Sequence, residues 1–261
     1  MLVRPAAVAG SFYPADAREL RSEVDAFLDV FVPSDEPRPK ALIVPHAGYV
    51  YSGPTAGAAY ARLKPLRGTI ERVVLLGPAH RVWVDGIAVS SADGFVTPLG
   101  VVPVDDALRR RALAFPRVRI GDRAHASEHA LEVQLPFLQR VLGEIAVLPL
   151  VVGDASTDDV AQVLDAVWGG NETLVVVSSD LSHYHDYDTA RRLDARTAAA
   201  IVAGNGDAIK DDDACGARPV RGLLETAGHR GLGIRLIDLR TSGDTAGDRD
   251  SVVGYGAFAL S

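Results

Sequence analysis

The chain of 261 residues is 48% hydrophobic and 23% charged, with a formal net charge of −7. These values are near the globular average, so the chain can bury a substantial core, and the negative charge without any Lys/Arg cluster argues against a nucleic-acid partner. No apolar run approaches the roughly 20 residues needed to span a bilayer, and the amino terminus lacks the basic-then-apolar pattern of a secretory signal, so we expect a cytoplasmic protein without a membrane partner.

Strand-like and helical patterns alternate from about residue 40 to the end of the chain. Several strand-like runs are apolar throughout, as strands buried on both faces must be. The alternation predicts a three-layer α/β fold with a mainly parallel or mixed central sheet and helices on both faces. We expect a single domain over residues 1–261, because one large sheet can occupy this length, with a hinge only in 33–39. The predicted strands are 40–45, 72–77, 86–91, 145–152, 173–179, 234–239 and 252–260.

Start signals for four helices follow these strands. Pro54 is expected in a first helical turn, and Asp105 precedes ALRRRALA. Ser127 precedes EHALEVQLPFLQRVL, and Ser156 precedes TDDVAQVLDAVW. Ser and Asp at such positions are predicted to cap the free N–H groups of the first turn.

Three histidines have the same position relative to three predicted strands. His46 directly follows ALIVP, His80 follows RVVLLG after a short turn, and His183 lies four residues past VVVSS. Because the carboxyl ends of parallel strands meet where α/β proteins bind ligands, we expect these side chains to converge in one pocket. Each histidine alone can equally be a buried or loop residue bonded to backbone, but three together indicate a site.

Converging imidazoles suit a divalent transition metal. Two histidines and one carboxylate on one face leave open positions for substrate and dioxygen, as in non-haem iron(II) oxygenases, and a third histidine can act as general base. The single cysteine, Cys215, permits no disulfide within the chain and no thiolate-rich cluster, so we expect a metal site of His and carboxylate. We interpret Cys215 as a small buried residue, since free cysteine is among the most buried types.

The segment 178-SSDLSHYHDYD-188 concentrates acidic residues directly after a strand. Asp180 is closest to the strand end, where it can orient a histidine or a metal-bound water. Asp186 and Asp188 are interpreted as caps of the helix that starts near Thr189.

The segment 125-HASEHALE-132 offers a rival set, with His125 and His129 four residues apart. An HxxxH metal pair needs both histidines on one helical face, but a cap at Ser127 leaves His125 outside the helix. We keep His129 and Glu128 as pocket-lining, substrate-binding candidates. The alternative is a helix amino terminus with a favourable acidic residue in its first turn.

The turn 45-PHAGYVYSGPTAG-57 leads from a strand into a helix. Its backbone N–H groups and the helix amino terminus can bind an anionic group of a substrate. Tyr49 and Tyr51 can donate hydrogen bonds or pack on the sheet edge, and Tyr51 is our third substrate-binding candidate.

Seven motifs in this order resemble the Memo family over essentially the whole chain: RPAAVAGSFYP, PHAGYVYSGPTAG, GPAH, SEHALEVQLPF, SSDLSHY, ACG and SVVGYGAFAL. In prokaryotes this family is associated with a radical-SAM protein and a third partner, hence the label AmmeMemoRadiSam system protein B. The resemblance implies a fold like that of class III extradiol dioxygenases. It places the family's pocket histidines on His46, His80 and His183, and the family's aspartate on Asp180.

The fourth pocket residue of the animal members is a cysteine in a loop that resembles 240–252, where this chain has none. Asp244 takes that position when the loop is aligned from its upstream side, and Thr245 takes it from the downstream side. Asp244 would complete a two-histidine, one-carboxylate set, whereas Thr245 would leave the set incomplete. The alternative is a flexible glycine-containing loop without a ligand.

Two functions of different classes stay open. In the first, His46, His80 and Asp244 bind iron(II), with copper or zinc as alternatives, His183 is the acid/base, and Asp180 orients it. The activity implied by the resemblance is dioxygenase-like redox chemistry on a small molecule. In the second, the chain is a non-catalytic module that binds an anionic or phosphorylated ligand, because animal Memo proteins are adaptors for phosphorylated peptides. A subunit that works only with the radical-SAM partner is a further alternative.

Overall fold

The computed structural model describes residues 2–30, 32 and 36–261. The predicted hinge in 33–39 therefore lies partly outside the described residues. Within the described ranges, no helix combines the length and the apolar character needed to cross a membrane.

The described residues form two sheets flanked by helices. The strands are β1 (Val3–Arg4), β2 (Ala41–Val44), β3 (Arg72–Pro78), β4 (Ile87–Val89), β5 (Gly94–Thr97), β6 (Gly100–Pro103), β7 (Val118–Ile120), β8 (Ala146–Val152), β9 (Thr173–Ser178), β10 (His183–His185), β11 (Ile234–Thr241) and β12 (Val252–Leu260). The helices are α1 (Ala17–Leu28), α2 (Tyr49–Tyr60), α3 (Asp106–Ala112), α4 (Asp122–Ala126), α5 (Leu135–Leu142), α6 (Thr157–Val167), α7 (Tyr187–Val202) and α8 (Ala217–His229). Short 3₁₀ turns add Ala61–Leu66, Glu132–Gln134, Gly206–Ala208 and Ser242–Asp244.

The larger sheet is mixed. Its strand order is β10-β12-β2-β9-β3-β8-β4-β7, and β11 pairs with β12 outside this path. The central strands β2, β9, β3 and β8 are parallel, whereas β12 is antiparallel to β2 and β4 is antiparallel to β8. The carboxyl ends of β2, β3 and β9 therefore meet at one edge, which is where ligands bind in sheets of this kind.

Both faces of this sheet are buried, because successive residues of a strand alternate between two cores. In β3, Val73 and Leu75 pack in the core formed with α1, α2 and α5. Val74 and Leu76 pack in the opposite core, with α6 and α8. The predicted three-layer α/β architecture is confirmed.

The seven predicted strands are all present, as β2, β3, β4, β8, β9, β11 and β12. The sequence pattern does not predict β1, β5, β6, β7 or β10. Each of these has only two to four residues. The predicted strands β2 and β4 are as short, so strand length alone does not explain the difference.

Several predicted helix caps are also confirmed. Asp105 is the N-cap of α3, and its side chain accepts from the Leu108 N–H. Ser156 begins α6 with a capping box, and Asp186 caps α7. These caps were predictable because the capping contact is local in sequence.

Two predicted helix starts are wrong. α2 begins at Tyr49, so Pro54 lies inside the helix rather than in its first turn; the Tyr49 N–H is already bonded to a carbonyl of the amino-terminal segment. Ser127 is the C-cap of α4, and α5 begins only at Leu135, where Pro136 suits a first turn. Residues 128–134 therefore lie outside both helices and can approach the edge where the strands end.

A buried ion pair ties the amino-terminal segment to the core. Arg4 donates to the carboxylate of Glu132, and both side chains are buried. The same carboxylate accepts from the N–H groups of Ala7 and Val8, at 2.8 and 3.0 Å, and from the Tyr13 hydroxyl at 2.6 Å. Glu132 is therefore a structural anchor for this segment.

Candidate functional site

A cavity of about 570 Å³ opens at the carboxyl ends of β2, β3 and β9. Four histidines line it: His46, His80, His129 and His183. Asp180 and several aromatic rings share its wall, and the loop after β11 contributes part of its rim. The strand ends thus gather imidazoles that are far apart in the sequence.

His46 is buried and its tautomer is fixed by its neighbours. Its Nδ1 lies 2.9 Å from Ser178 Oγ, and that hydroxyl donates its own proton to the carbonyl of Ala130. Ser178 Oγ must therefore accept, so His46 carries its proton on Nδ1 and a lone pair on Nε2. Burial and the nearby His80 lower the pKa of His46 to about 3, which keeps the ring neutral.

His80 is fixed in the same tautomer by Glu128. Its Nδ1 lies 2.8 Å from Glu128 Oε1, and its backbone N–H donates to Glu128 Oε2 at 2.7 Å. Burial raises the pKa of Glu128, but hydrogen bonds from His80 and from the Ala130 N–H outweigh burial and hold this pKa at about 2. The ionised carboxylate accepts from Nδ1, so Nε2 of His80 also carries a lone pair.

Cys215 faces these two rings. Its Sγ lies 3.2 Å from His46 Nε2, and ligand atoms of His46, His80 and Cys215 all lie within 4.8 Å of one another. Burial and the nearby Asp180 raise the pKa of the thiol well above its usual range. The interpretation of Cys215 as a small buried residue missed this contact, and its thiol joins the expected His and carboxylate groups as a candidate metal donor.

His129 lies against His80, with ring centroids 4.6 Å apart and nearly parallel planes. Burial and the neighbouring His46 lower the pKa of His129 to about 4. His80, Glu128 and His129 form a second group whose ligand atoms lie within 4.8 Å of one another. His125, the partner of His129 in the HxxxH pattern, is elsewhere: its Nε2 bonds to a β4 carbonyl at 3.0 Å.

His183 and Asp180 lie on the same cavity wall. Nδ1 of His183 lies 2.8 Å from the Leu181 carbonyl oxygen, which can only accept, so Nε2 is the unprotonated nitrogen of the neutral ring. Asp180 accepts from the His46 N–H at 2.7 Å. Burial raises its pKa, although that N–H favours the ionised form. Asp180 thus holds the backbone of His46, and its predicted role of orienting His183 stays a prediction.

The structure does not bring Asp244 to the histidines. Its Oδ1 accepts from the Tyr187 hydroxyl at 2.5 Å, and its Oδ2 accepts from the N–H and hydroxyl of Thr241. Neither Asp244 nor Thr245 is among the residues that line the cavity. The assignment of Asp244 as a metal ligand is corrected for this conformation, because its carboxylate closes its own turn.

Of the substrate-binding candidates, Tyr51 and His129 line the cavity, whereas Glu128 lies behind His80. The wall also includes three residues that were not candidates from the sequence, Phe12, Arg81 and Tyr255. Phe12 and Tyr255 lie in motifs that carry the family resemblance, RPAAVAGSFYP and SVVGYGAFAL. No periodic or spacing signal connects these residues, since each comes from a different segment.

The donor atoms fit a metal ion. Metal-binding histidines hold their second ring nitrogen in a hydrogen bond to a carboxylate, carbonyl or similar acceptor. His46 and His80 both do so, through Ser178 and Glu128, and both leave Nε2 unprotonated at the same wall. The histidines are thus already in the protonation state that coordination requires.

Fold and pocket together define a mixed α/β protein with candidate metal-binding residues at its strand ends. A family model described as Memo-like protein matches residues 4–259. Proteins described as MEMO1 family proteins from Aquifex aeolicus and Ignicoccus hospitalis are 40% and 38% identical, each over 98% of this chain and 98% of the relative. The chain belongs to the Memo family.

A solved structure shows the same fold at low identity. It is the crystal structure of an uncharacterized protein from Escherichia coli K12, with a TM-score of 0.54 and 13% sequence identity. The match covers 84% of this chain and 99% of that one. At this identity the likeness supports the fold alone.

Proposed function

We propose that this protein binds a transition-metal ion through His46 and His80, beside a cavity that accepts a small molecule. Iron(II) is the ion we place first, because the family resemblance extends to the fold of non-haem iron dioxygenases. Copper and zinc are alternatives, since both accept imidazole ligands. The reaction class we propose is metal-dependent redox chemistry or oxygenation.

The observation that supports this proposal is the common orientation of the two imidazoles. Their ring centroids lie 5.1 Å apart, and each ring has its Nδ1 proton engaged by a partner behind the cavity wall. Each ring therefore presents the lone pair of its Nε2 at the same place, and two such lone pairs are what a metal ion accepts.

His183 is the residue we propose for proton transfer. Its Nε2 is the free nitrogen of the ring, so it can take a proton from a substrate hydroxyl and later return that proton. The carboxylate of Asp180 is close enough to stabilise the protonated ring electrostatically. When bound, a metal ion with few protein ligands supplies open positions for substrate and dioxygen.

The cavity has the size and lining of a small-molecule site. Its volume of about 570 Å³ lies within the range of roughly 300–1,000 Å³ that is usual for ligand pockets. Phe12, Tyr51 and Tyr255 contribute aromatic surface, and Arg81 is a cationic group at the wall. We therefore propose a small organic substrate with both apolar and polar parts.

The test is the metal content of protein purified without oxygen. We expect close to one equivalent of iron, copper or zinc in the wild type, and its loss in His46→Ala and in His80→Ala. His229→Ala is the matched control, because His229 is exposed at the end of α8. Retention of the metal in both pocket variants would refute the proposal.

Arg81 favours the second candidate function, a module that binds an anionic ligand. It is exposed at the cavity, and within the described part of the chain no carboxylate pairs with it. If the wild type held no metal after reconstitution but bound phosphotyrosine, and Arg81→Gln abolished that binding, this function would replace the first. The radical-SAM partner implied by the resemblance stays a prediction.

A further inference from the structure

The turn that leads into α8 places the chain's single cysteine at the pocket histidines. Cys215 Sγ is 3.2 Å from His46 Nε2, the atom that the tautomer of His46 leaves unprotonated. The backbone N–H of Asp180 donates to the same sulfur at 3.3 Å. The sulfur therefore accepts one backbone hydrogen bond on one side and faces a prospective metal ligand on the other.

Close packing at Gly216 fixes this position of the sulfur. The Gly216 N–H donates to Ser179 Oγ at 3.0 Å. A Cβ atom at position 216 would lie 2.7 Å from the Cβ of Ser179 and 2.9 Å from the carbonyl oxygen of Ser178. Only glycine allows the turn to approach the end of β9 this closely. The ACG motif is thus built to bring Cys215 to the strand that also supports His46.

The spacing of the three donor atoms suits one ion. His46, His80 and Cys215 offer ligand atoms that lie within 4.8 Å of one another. Bonds of about 2.0–2.3 Å at tetrahedral angles place ligand atoms roughly 3.3–3.7 Å apart. A movement of about 1 Å in side chains therefore brings the three atoms to one coordination sphere.

The competing carboxylate is engaged elsewhere. Both oxygens of Asp244 accept hydrogen bonds, from Tyr187 and from Thr241. To reach the cavity, Asp244 would have to break these contacts and open its turn. Cys215 has to give up the contacts of its thiol with His46 Nε2, at 3.2 Å, and with the Asp180 carbonyl oxygen, at 3.7 Å, but its turn stays closed.

We infer that Cys215 is the third protein ligand of the His46–His80 metal centre and binds as a thiolate. On coordination the S–H bond breaks, a sulfur–metal bond forms and the proton leaves to the solvent. This inference rests on the proposed function, because it needs the metal ion that function requires. It differs from the arrangement implied by the resemblance, in which the loop after β11 supplies the last ligand.

Cobalt(II) is the probe that tests this inference directly. Metal-free wild-type protein is titrated with cobalt(II) without oxygen, and the near-ultraviolet spectrum is followed for a thiolate-to-cobalt charge-transfer band. Because the chain has one cysteine, any such band reports Cys215. X-ray absorption at the cobalt edge is expected to show one sulfur at about 2.3 Å, the usual length of a metal–thiolate bond.

Variants separate the ligand from its rival. In Cys215→Ser the band is expected to vanish and cobalt affinity to fall by roughly 100-fold or more, since even loss of an outer-shell partner costs about 10- to 100-fold. Asp244→Asn is the matched control and is expected to keep both band and affinity. Thermal unfolding of each variant confirms that it is folded.

The opposing results are distinguishable. Cobalt bound without the charge-transfer band, or with unchanged affinity in Cys215→Ser, would overturn the ligand assignment and leave the His46–His80 centre standing. Absence of any bound cobalt, iron, copper or zinc in the wild type would overturn the metal centre, and the ligand assignment with it.

Discussion

The pocket wall and the packed layer under the amino-terminal segment use the same residue types in opposite ways. In the wall, Glu128 accepts a hydrogen bond from Nδ1 of His80. Folding does not depend on a bond to Nε2 of the same ring. In the packed layer, Glu132, four residues later, accepts four hydrogen bonds that bind the amino-terminal segment. His125 likewise directs its Nε2 to a backbone carbonyl.

This difference teaches how to separate a candidate site from a structural polar cluster. Around Glu132 both carboxylate oxygens are bonded within the protein, so removal of one partner costs folding free energy. In a site, one atom of each side chain is supported while another is left for a ligand. Substitutions in the two regions should therefore change different measurements.

The largest expected effect is on stability, in the packed layer. Glu132→Gln leaves the buried Arg4 without its charge partner, and breaking one side of a buried ion pair costs about 3–5 kcal/mol of unfolding free energy. Urea denaturation measures this cost. Glu144→Gln, at an exposed position, is the control, and an equally small effect at both positions would contradict the structural role of Glu132.

The next effect is the pH dependence of stability that His125 causes. Burial lowers the pKa of His125 from its usual 6.5 to about 4. Between these values the unfolded chain binds a proton that the folded protein does not, so stability is complete above pH 6.5 and falls as pH decreases towards 4. The total loss from this residue is about 3 kcal/mol, at roughly 1.4 kcal/mol per pKa unit.

The measurement is the unfolding free energy of wild type and His125→Gln at pH 7 and pH 5. The variant should lose less stability between the two values, because glutamine can donate to the same carbonyl without titrating. His46 and His129 also have lowered pKa values and contribute equally to both proteins. Identical losses in wild type and variant would show that His125 is not buried as a neutral ring.

The smallest expected effect is on metal affinity, in the pocket wall. Glu128→Gln removes the carboxylate that holds His80, and loss of such a supporting group costs about 10- to 100-fold in affinity, or roughly 1.4–2.7 kcal/mol. Competition titration with a zinc chelator measures it, with Glu144→Gln again as control. If Glu128→Gln bound zinc as tightly as the wild type, Glu128 would belong with the structural carboxylates.

Comparison of the two regions also shows why the sequence did not distinguish them. The segment 125–132 carries two histidines and two glutamates at helix-like spacing, and a continuous helix after Ser127 was the expected structure. The chain instead leaves helical geometry between α4 and α5. That break turns His129 towards the cavity, Glu128 towards His80 and Glu132 towards Arg4, and no local pattern encodes the directions.

The third ligand illustrates the same limit. Residue type favoured a carboxylate over a lone cysteine, and the family resemblance pointed to the loop after β11. The carboxylate of Asp244 instead closes its own turn, as Asp side chains readily do. Cys215 lies against His46, and the close packing of Gly216 on the end of β9 permits that position, a contact between segments that are distant in the sequence.

The sequence by itself determined seven of the strands, the caps at Asp105, Ser156 and Asp186, and the placement of His46, His80 and His183 at strand ends. These features depend on local periodicity and on the rule that parallel strands end at one edge. Tertiary structure decided which nitrogen of each histidine is free and which glutamate supports a histidine. It also decided which side chain lies where a third metal ligand would bind, beside His46 and His80. Those outcomes depend on hydrogen bonds between distant segments, because a donor atom is available to a ligand only when no closer partner occupies it.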